Sequence, residues 1–278
     1  LVRLGLQEVM TYRMTDGESE AELTPPGAQI VDHTYVRLRN PLTPERSILR
    51  RSLLGSVLDV ASKNSRLSDR LAFFEIAPVF LPREGESLPL EAQRLAIVMS
   101  GSKHPSHWGH TQRVLLDFYD LKGVVESFLN TLHCPAPVFE PVDGTIYHPG
   151  KAAEVSVAGK KIGTCGELHP QVKERYDLEG GLVLAGEFDL DALLMLASER
   201  VEAQTVSSFP PVLEDIALIV DESLPAAAVE EKIRASGGKH LTRVELFDVF
   251  RGDQLGAGKK SLAYNLTYQA SDRTLSDK

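Results

Sequence analysis

The stretch from Asn40 to Phe80 constrains the fold most. It runs from Asn40-Pro41-Leu42-Thr43-Pro44-Glu45 through an apolar segment into Leu71-Ala72-Phe73-Phe74-Glu75-Ile76-Ala77-Pro78-Val79-Phe80. Leu54, Val57, Leu58 and Ala61 recur at helical spacing, so a helix is predicted to bury one face there. Thr43 suits an N-cap, Pro44 the first helical position, and Glu45 the positive end of the helix. Phe74, Ile76 and Phe80 predict a strand in the same core. Such a scaffold is α+β and built around a sheet, and its chemistry is to be sought at strand ends.

A chain of 278 residues can hold two domains with separate cores. No apolar run approaches the ~20 residues of a membrane span. The opening Leu1-Val2-Arg3-Leu4-Gly5 has neither a Met nor a signal-peptide layout, so the chain is expected to begin inside a longer protein. Cys134 and Cys165 cannot form a disulfide framework, and a reducing cytoplasm is the expected location. The net charge of −9 argues against a general polyanion binder. From Gly237 onward, seven Lys or Arg stand against five Asp or Glu, leaving 23 against 34 elsewhere. Only this tail would not repel a phosphate backbone.

Along the chain, Tyr35 to Arg39 and Arg94 to Ser100 read as strands. Asp117 or Asp120 is predicted to cap a helix carrying Leu121, Val124, Val125, Phe128, Leu129 and Leu132 on one face. Val138–Pro141 and Ala153–Val157 are predicted strands, and Gly159-Lys160 turns the latter into Ile162–Leu168. Gln171–Tyr176 is a predicted short helix. A strand then covers Leu182–Phe188, and Asp189 or Asp191 caps a last helix. A linker is expected over 197–208, dividing a core domain of residues 1–200 from a second domain of 208–278. The second reads strand, helix, strand, strand, which begins a ferredoxin-like unit. It stops where its second helix should be capped, so Phe209 to Lys278 is expected to be the less stable half.

Several constellations invite chemistry. His104, His107 and His110 lie in a loop broken by Pro105 and Gly109, a poor frame for zinc, and no bound metal is expected. His133 and Cys134 are adjacent on a helix and point about 100° apart, unsuited to a nucleophile and its base. His148-Pro149-Gly150-Lys151 and Gly166-Glu167-Leu168-His169-Pro170 could pair a His with Glu167, yet both read as turns. In the last two strands, alternation puts Asp248 and Phe250 on one face. Ser261, Ala263, Asn265 and Thr267 form a small polar face beside them. Such a sheet can stack and read unpaired bases, with Arg251, Lys259 and Lys260 meeting phosphates. An ordinary solvated sheet face fits the same pattern.

Asn-Pro-Leu-Thr-x-Glu, an Arg-rich helix with Ser52-Leu53-Leu54, and Phe-Glu-Ile before Val-Phe resemble the beta subunit of bacterial phenylalanyl-tRNA synthetase. The resemblance continues in Gly5-Leu6-Gln7-Glu8-Val9, Asp117-Phe118-Tyr119-Asp120-Leu121-Lys122-Gly123 and His148-Pro149-Gly150. It returns in Gly166–Pro170, Gly186-Glu187-Phe188-Asp189-Leu190 and the last seventy or so residues. It implies a class II synthetase-like antiparallel sheet with flanking helices, followed by a truncated anticodon-binding domain. Catalytic class II cores hold ATP with an Arg directly after a strand-end Phe and a second Arg in a later turn, two guanidinium forks on the triphosphate. Here Leu81 follows Phe80, and the later turn carries Glu187, Asp189 and Asp191. The resemblance therefore implies a core without adenylation chemistry and with no catalytic residue. ATP and Mg2+ would be used outside this chain, by an alpha subunit in an α2β2 heterotetramer. The aromatic at the position of Phe250 would stack on an anticodon base of tRNA-Phe, with Asp248, Ser261 and Ala263 against the bases. Many relatives carry Tyr there, so stacking without a hydroxyl contact is implied. Two other readings remain: a self-sufficient ligase with an unrecognised ATP site, and a protein-interaction scaffold that never touches RNA.

Overall fold

A computed structural model describes residues 1–29, 34–105, 107–109, 114–178, 180–198 and 207–275. Its contacts divide into two units, Leu1–Val201 and Glu202–Lys278. His110, most of the expected linker, and the last residues of the expected terminal cap lie outside the described residues.

The first unit opens with the short strands β1 (Gln7–Glu8) and β2 (Met14–Thr15), helix α1 (Gly17–Ala21) and strand β3 (Ile48–Leu49). Helix α2 (Leu54–Ser65) leads into the long strands β4 (Arg70–Leu81) and β5 (Leu90–Gly101). Then follow α3 (Phe118–Thr131), β6 (Pro137–Pro141), β7 (Tyr147–Val157), β8 (Lys160–Leu168), α4 (Pro170–Arg175), β9 (Val183–Asp189) and α5 (Leu190–Leu196). Seven strands form one sheet in the order β1-β4-β5-β9-β8-β7-β6, antiparallel except where β1 runs parallel to β4. Among the described residues no helix is long and apolar enough to cross a membrane.

Helices cover both faces of this sheet. On one, Leu54, Val57, Leu58 and Ala61 of α2 pack with Val172 and Tyr176 over Leu71, Phe73, Ala96, Val98 and Ala185. On the other, Leu121, Val125 and Leu129 of α3 and Leu193 of α5 pack over Ala72, Phe74, Leu95, Ile97 and Phe188. Burial on both faces is why Leu95–Met99 of β5 is an unbroken apolar run without alternation. It also corrects one expectation. Phe74 lies on the face opposite α2, and Ile76 is 41% exposed; the α2 face of β4 is made by Leu71, Phe73 and Val79.

The start of α2 differs from expectation as well. Thr43, Pro44 and Glu45 open only a 3-10 turn, Pro44–Arg46, and Thr43 makes no side-chain capping bond. Strand β3 and Arg50 intervene, so the expected Arg-rich helix is an extended segment before the helix. Its first N–H groups are met from far away in sequence. Glu187, on β9, accepts from Leu53 N–H at 3.2 Å, Leu54 N–H at 3.2 Å and Ser52 Oγ at 2.5 Å. Glu20 of α1 takes the Arg51 N–H at 3.1 Å. Burial pushes the Glu20 carboxyl above its ordinary pKa, opposed by the N–H groups of Arg51 and Ser52. Glu187→Ala is expected to lower stability by about 1–2 kcal/mol, as loss of an N-cap does. A shift in denaturant midpoint measures it, and an unchanged midpoint contradicts the capping role.

Local signals hold better elsewhere. Asp117 and Asp120 together cap α3 as a capping box. The tight turn from β7 to β8 falls at Ala158 and Gly159, with φ of 49° and 74°, one residue before the expected Gly159-Lys160, since Lys160 already opens β8. The segment read as a turn at His148-Pro149-Gly150-Lys151 instead lies inside β7, where the pairing with β8 slips between Tyr147 and Ala152. Pro149 offers no N–H and Gly150 takes φ 74°, so the strand bulges rather than ends. Tyr35–Arg39 supplies one bridge, Arg37 to Ile48, rather than a strand.

The second unit contains β10 (Val212–Asp221), α6 (Ala226–Ser236), β11 (Leu241–Phe250) and β12 (Lys259–Tyr268). Its sheet has the order β10-β12-β11, antiparallel throughout, as a ferredoxin-like β-α-β-β unit requires. Val229 and Ile233 of α6 pack on Val244, Leu262, Tyr264 and Leu266. Tyr264 Oη donates to the Ala226 carbonyl at 2.9 Å, fixing the helix to the central strand. This core is far smaller than either core of the first unit, and Leu218 on the helix side of β10 is 36% exposed. Hydrogen exchange is therefore expected to reach the second unit first, β10 amides leading. Equal protection of both units would contradict this.

Candidate nucleic-acid interface

The face of the three-stranded sheet turned away from α6 is open. Strand β12 presents Ser261, Ala263 and Asn265 to it, between Ile219, Ala217 and Asp215 of β10 and the residues of β11. Along β11 the phase changes partway. Val244 and Leu246 pair with Leu266 and Tyr264 and face the helix, whereas Asp248 pairs with Ala263 and Phe250 with Ser261. The register slips between Leu246 and Asp248, leaving Phe247 as the extra residue of a bulge, 58% exposed.

The bulge makes the site. Strict alternation from Val244 would send Asp248 and Phe250 into the helix-facing core; one additional residue sends both to the open face. Asp248, Phe250, Ser261 and Ala263 thus sit as two facing cross-strand pairs. The aromatic ring is held from beneath. The ring lies over Gly252, where an added Cβ would stand 2.8 Å from Phe250 Cζ and push it aside. The phase slip has a visible sequence signal in the adjacent apolar residues Leu246 and Phe247.

The three expected phosphate contacts fall differently. Arg251 donates through Nε and Nη2 to Glu222 Oε1, at 3.0 and 2.9 Å. Lys259 Nζ donates to Asp221 Oδ1 at 2.9 Å. Lys260 is buried, and its Nζ donates to the Glu222 carbonyl at 2.7 Å. By alternation Lys260 shares the helix side with Leu262 and Tyr264, so it does not join Ser261 and Ala263.

In the first unit, each carboxylate of the segment expected to be a turn has a partner, and the segment is the end of β9 running straight into α5. Glu187 caps α2. Asp189 caps α5 through the Ala192 N–H at 2.9 Å and pairs with Arg94 at 2.8 Å. Asp191 accepts the Gln93 N–H at 2.8 Å. Glu167 pairs with Lys151 at 2.7 Å rather than with a histidine, and His169 Nδ1 accepts from the Gln171 N–H at 3.1 Å to cap α4. His133 and Cys134 lie beyond the end of α3 rather than on it, with His133 at φ 54°, and burial raises the Cys134 thiol above its ordinary pKa. Burial pushes the Cys165 thiol up to about 12. Among the described residues no group of three or more His, Cys, Asp or Glu is arranged to hold a metal.

A layered α+β unit followed by a ferredoxin-type β-α-β-β unit with one open sheet face defines a two-unit α+β protein. Residues 1–190 match the family described as phenylalanyl tRNA synthetase beta chain CLM domain, and residues 207–278 match the ferredoxin-fold anticodon binding domain. A phenylalanine–tRNA ligase beta subunit from Symbiobacterium thermophilum is 40% identical over 278 residues, 100% of this chain and 31% of that protein. The beta subunits from Listeria innocua and Geobacillus kaustophilus are each 36% identical, over 98% of this chain and 33% of theirs. The chain belongs to the phenylalanyl-tRNA synthetase beta chain family, and it spans about a third of the length of these curated relatives.

Proposed function

We infer that this chain serves phenylalanine–tRNA ligation as a non-catalytic part of a beta subunit. Its second unit binds the anticodon of tRNA-Phe, with Phe250 stacking on a base and Asp248, Ser261 and Ala263 lying against the bases. Its first unit is a class II synthetase-like core that supports a catalytic alpha subunit in a heterotetramer. The observation that carries the reading is the bulge at Phe247, which puts Phe250 on the same open face as the small residues of β12. An exposed aromatic beside small side chains is the arrangement that stacks unpaired bases with little demand on their sequence.

The strand ends of the first unit do not fit a nucleoside triphosphate. Leu81 closes β4, Arg83 beyond it pairs with Glu86 at 3.0 Å, and Arg94 is held by Asp189. The carboxylates of the later turn would repel phosphate. ATP, Mg2+ and phenylalanine therefore belong to the alpha subunit in this reading. Co-expression with an alpha subunit is expected to yield a complex that binds tRNA-Phe, while the chain alone gives no ATP–pyrophosphate exchange. Exchange by the purified chain alone would overturn the reading.

A further inference from the structure

The cations beside the open face converge on one place, the end of β10. Glu222 receives both Nε and Nη2 of Arg251, and Asp221 receives Lys259. Arg251 directly follows Phe250, and Lys259 stands two residues before Ser261 on the same side of β12. A phosphate attached to a base stacked on Phe250 would meet these two cations first. Each is already matched by a carboxylate, so the four side chains carry no net charge between them. The strand ends do not need these pairs for their closure. The Glu222 N–H donates to the Gly258 carbonyl at 2.8 Å, and Lys260 holds the Glu222 carbonyl.

We propose that Asp221 and Glu222 are specificity-determining residues that withhold Arg251 and Lys259 from phosphate, so that RNA is retained only when a base also stacks on Phe250. This rests on the base-binding reading of the open face. An RNA phosphate reaching Arg251 also meets the Glu222 carboxylate that already matches its charge, so the contact yields little. Non-specific RNA, whose affinity comes almost wholly from phosphate contacts, loses most by this. An RNA that stacks keeps the contribution that the carboxylates do not touch.

The test is Glu222→Gln in the full chain, with a short abasic oligoribonucleotide, which carries phosphates but no base to stack, as the non-cognate probe. The main-chain closure is untouched by this change. Affinity is expected to rise several-fold at low salt. The gain should be roughly 2.5-fold larger at about 50 mM than at about 200 mM salt, the signature of one added phosphate contact on a single strand. Arg251→Ala in the Glu222→Gln background should erase the gain. No gain, a gain independent of salt, or one that survives loss of Arg251 would each overturn the proposal. The base-binding reading fails separately, if Phe250→Ala leaves affinity for tRNA-Phe unchanged. A gain in Glu222→Gln with an inert Phe250 would support the withheld cation and overturn the stacking.

Discussion

Arg50→Ala is expected to cost the first unit about 3–5 kcal/mol of stability, the scale for stranding a buried charge. Arg50 is 1% exposed and Glu75 3%. The guanidinium is met on every side: Nη2 lies 3.5 Å from Glu75 Oε1, Nη1 donates to Thr11 Oγ1 at 2.7 Å, and Nε donates to the Pro78 carbonyl at 3.2 Å. Thr11 closes the ring by donating through Oγ1 and its N–H to the two Glu75 oxygens, at 2.7 and 3.1 Å. This network binds the segment after β1 to β4, beyond the short stretch where β1 pairs with it. Pro78 is tolerated within β4 because that part of the strand is an edge, and Arg50 takes the carbonyl that the edge leaves open. Truncating Arg50 leaves a carboxylate with a single hydroxyl and one N–H in a dry site. The measurement is the denaturant midpoint, with the slope unchanged. Glu75→Gln in the Arg50→Ala background should recover part of the loss, because it removes the stranded charge. A loss under about 1 kcal/mol would mean that water or a rearranged neighbour already serves the carboxylate.

The two halves of this chain differ in how legible they were. Local rules place α3 with its paired aspartates, the hairpin turn at Gly159 to within one residue, and the β-α-β-β order of the second unit, because capping and turn chemistry act within a few residues. Periodicity likewise marked Leu54, Val57, Leu58 and Ala61 as a buried face. What it could not supply were partners distant in sequence. The cap of α2 is Glu187, more than a hundred residues away, and Thr43 was a plausible local substitute that the fold does not use. Arg50 reads as a surface charge until Glu75 and Thr11 are brought to it. Phe74 falls on the face opposite to the expected one because β4 is apolar on both sides, where alternation carries no information.

The candidate interface shows the same division. Alternation sets Asp248 with Phe250 and Ser261 with Ala263, and the resemblance joins the four in one site. The bulge that makes this geometrically possible was marked only by two adjacent apolar residues. The loop cations were legible as charges, while their carboxylate partners at the end of β10 were not, since the pairing joins strands separated by a helix and another strand. Net charge therefore overstated what Arg251, Lys259 and Lys260 offer to a phosphate.

The central claim concerns a single ring. Phe250→Ala is expected to weaken binding of the tRNA-Phe anticodon stem-loop by about 1–3 kcal/mol, the contribution of one base–aromatic stack. That is roughly a 5- to 150-fold loss in affinity. Phe250→Tyr should bind at least as well as the parent, because the ring is kept. Neither change touches the core under α6, so the unfolding midpoint of the second unit should hold for both. Affinity for the stem-loop, measured side by side for the parent, Phe250→Ala and Phe250→Tyr, decides the matter. A loss confined to the alanine variant is the predicted result, and equal affinity across all three would contradict the account.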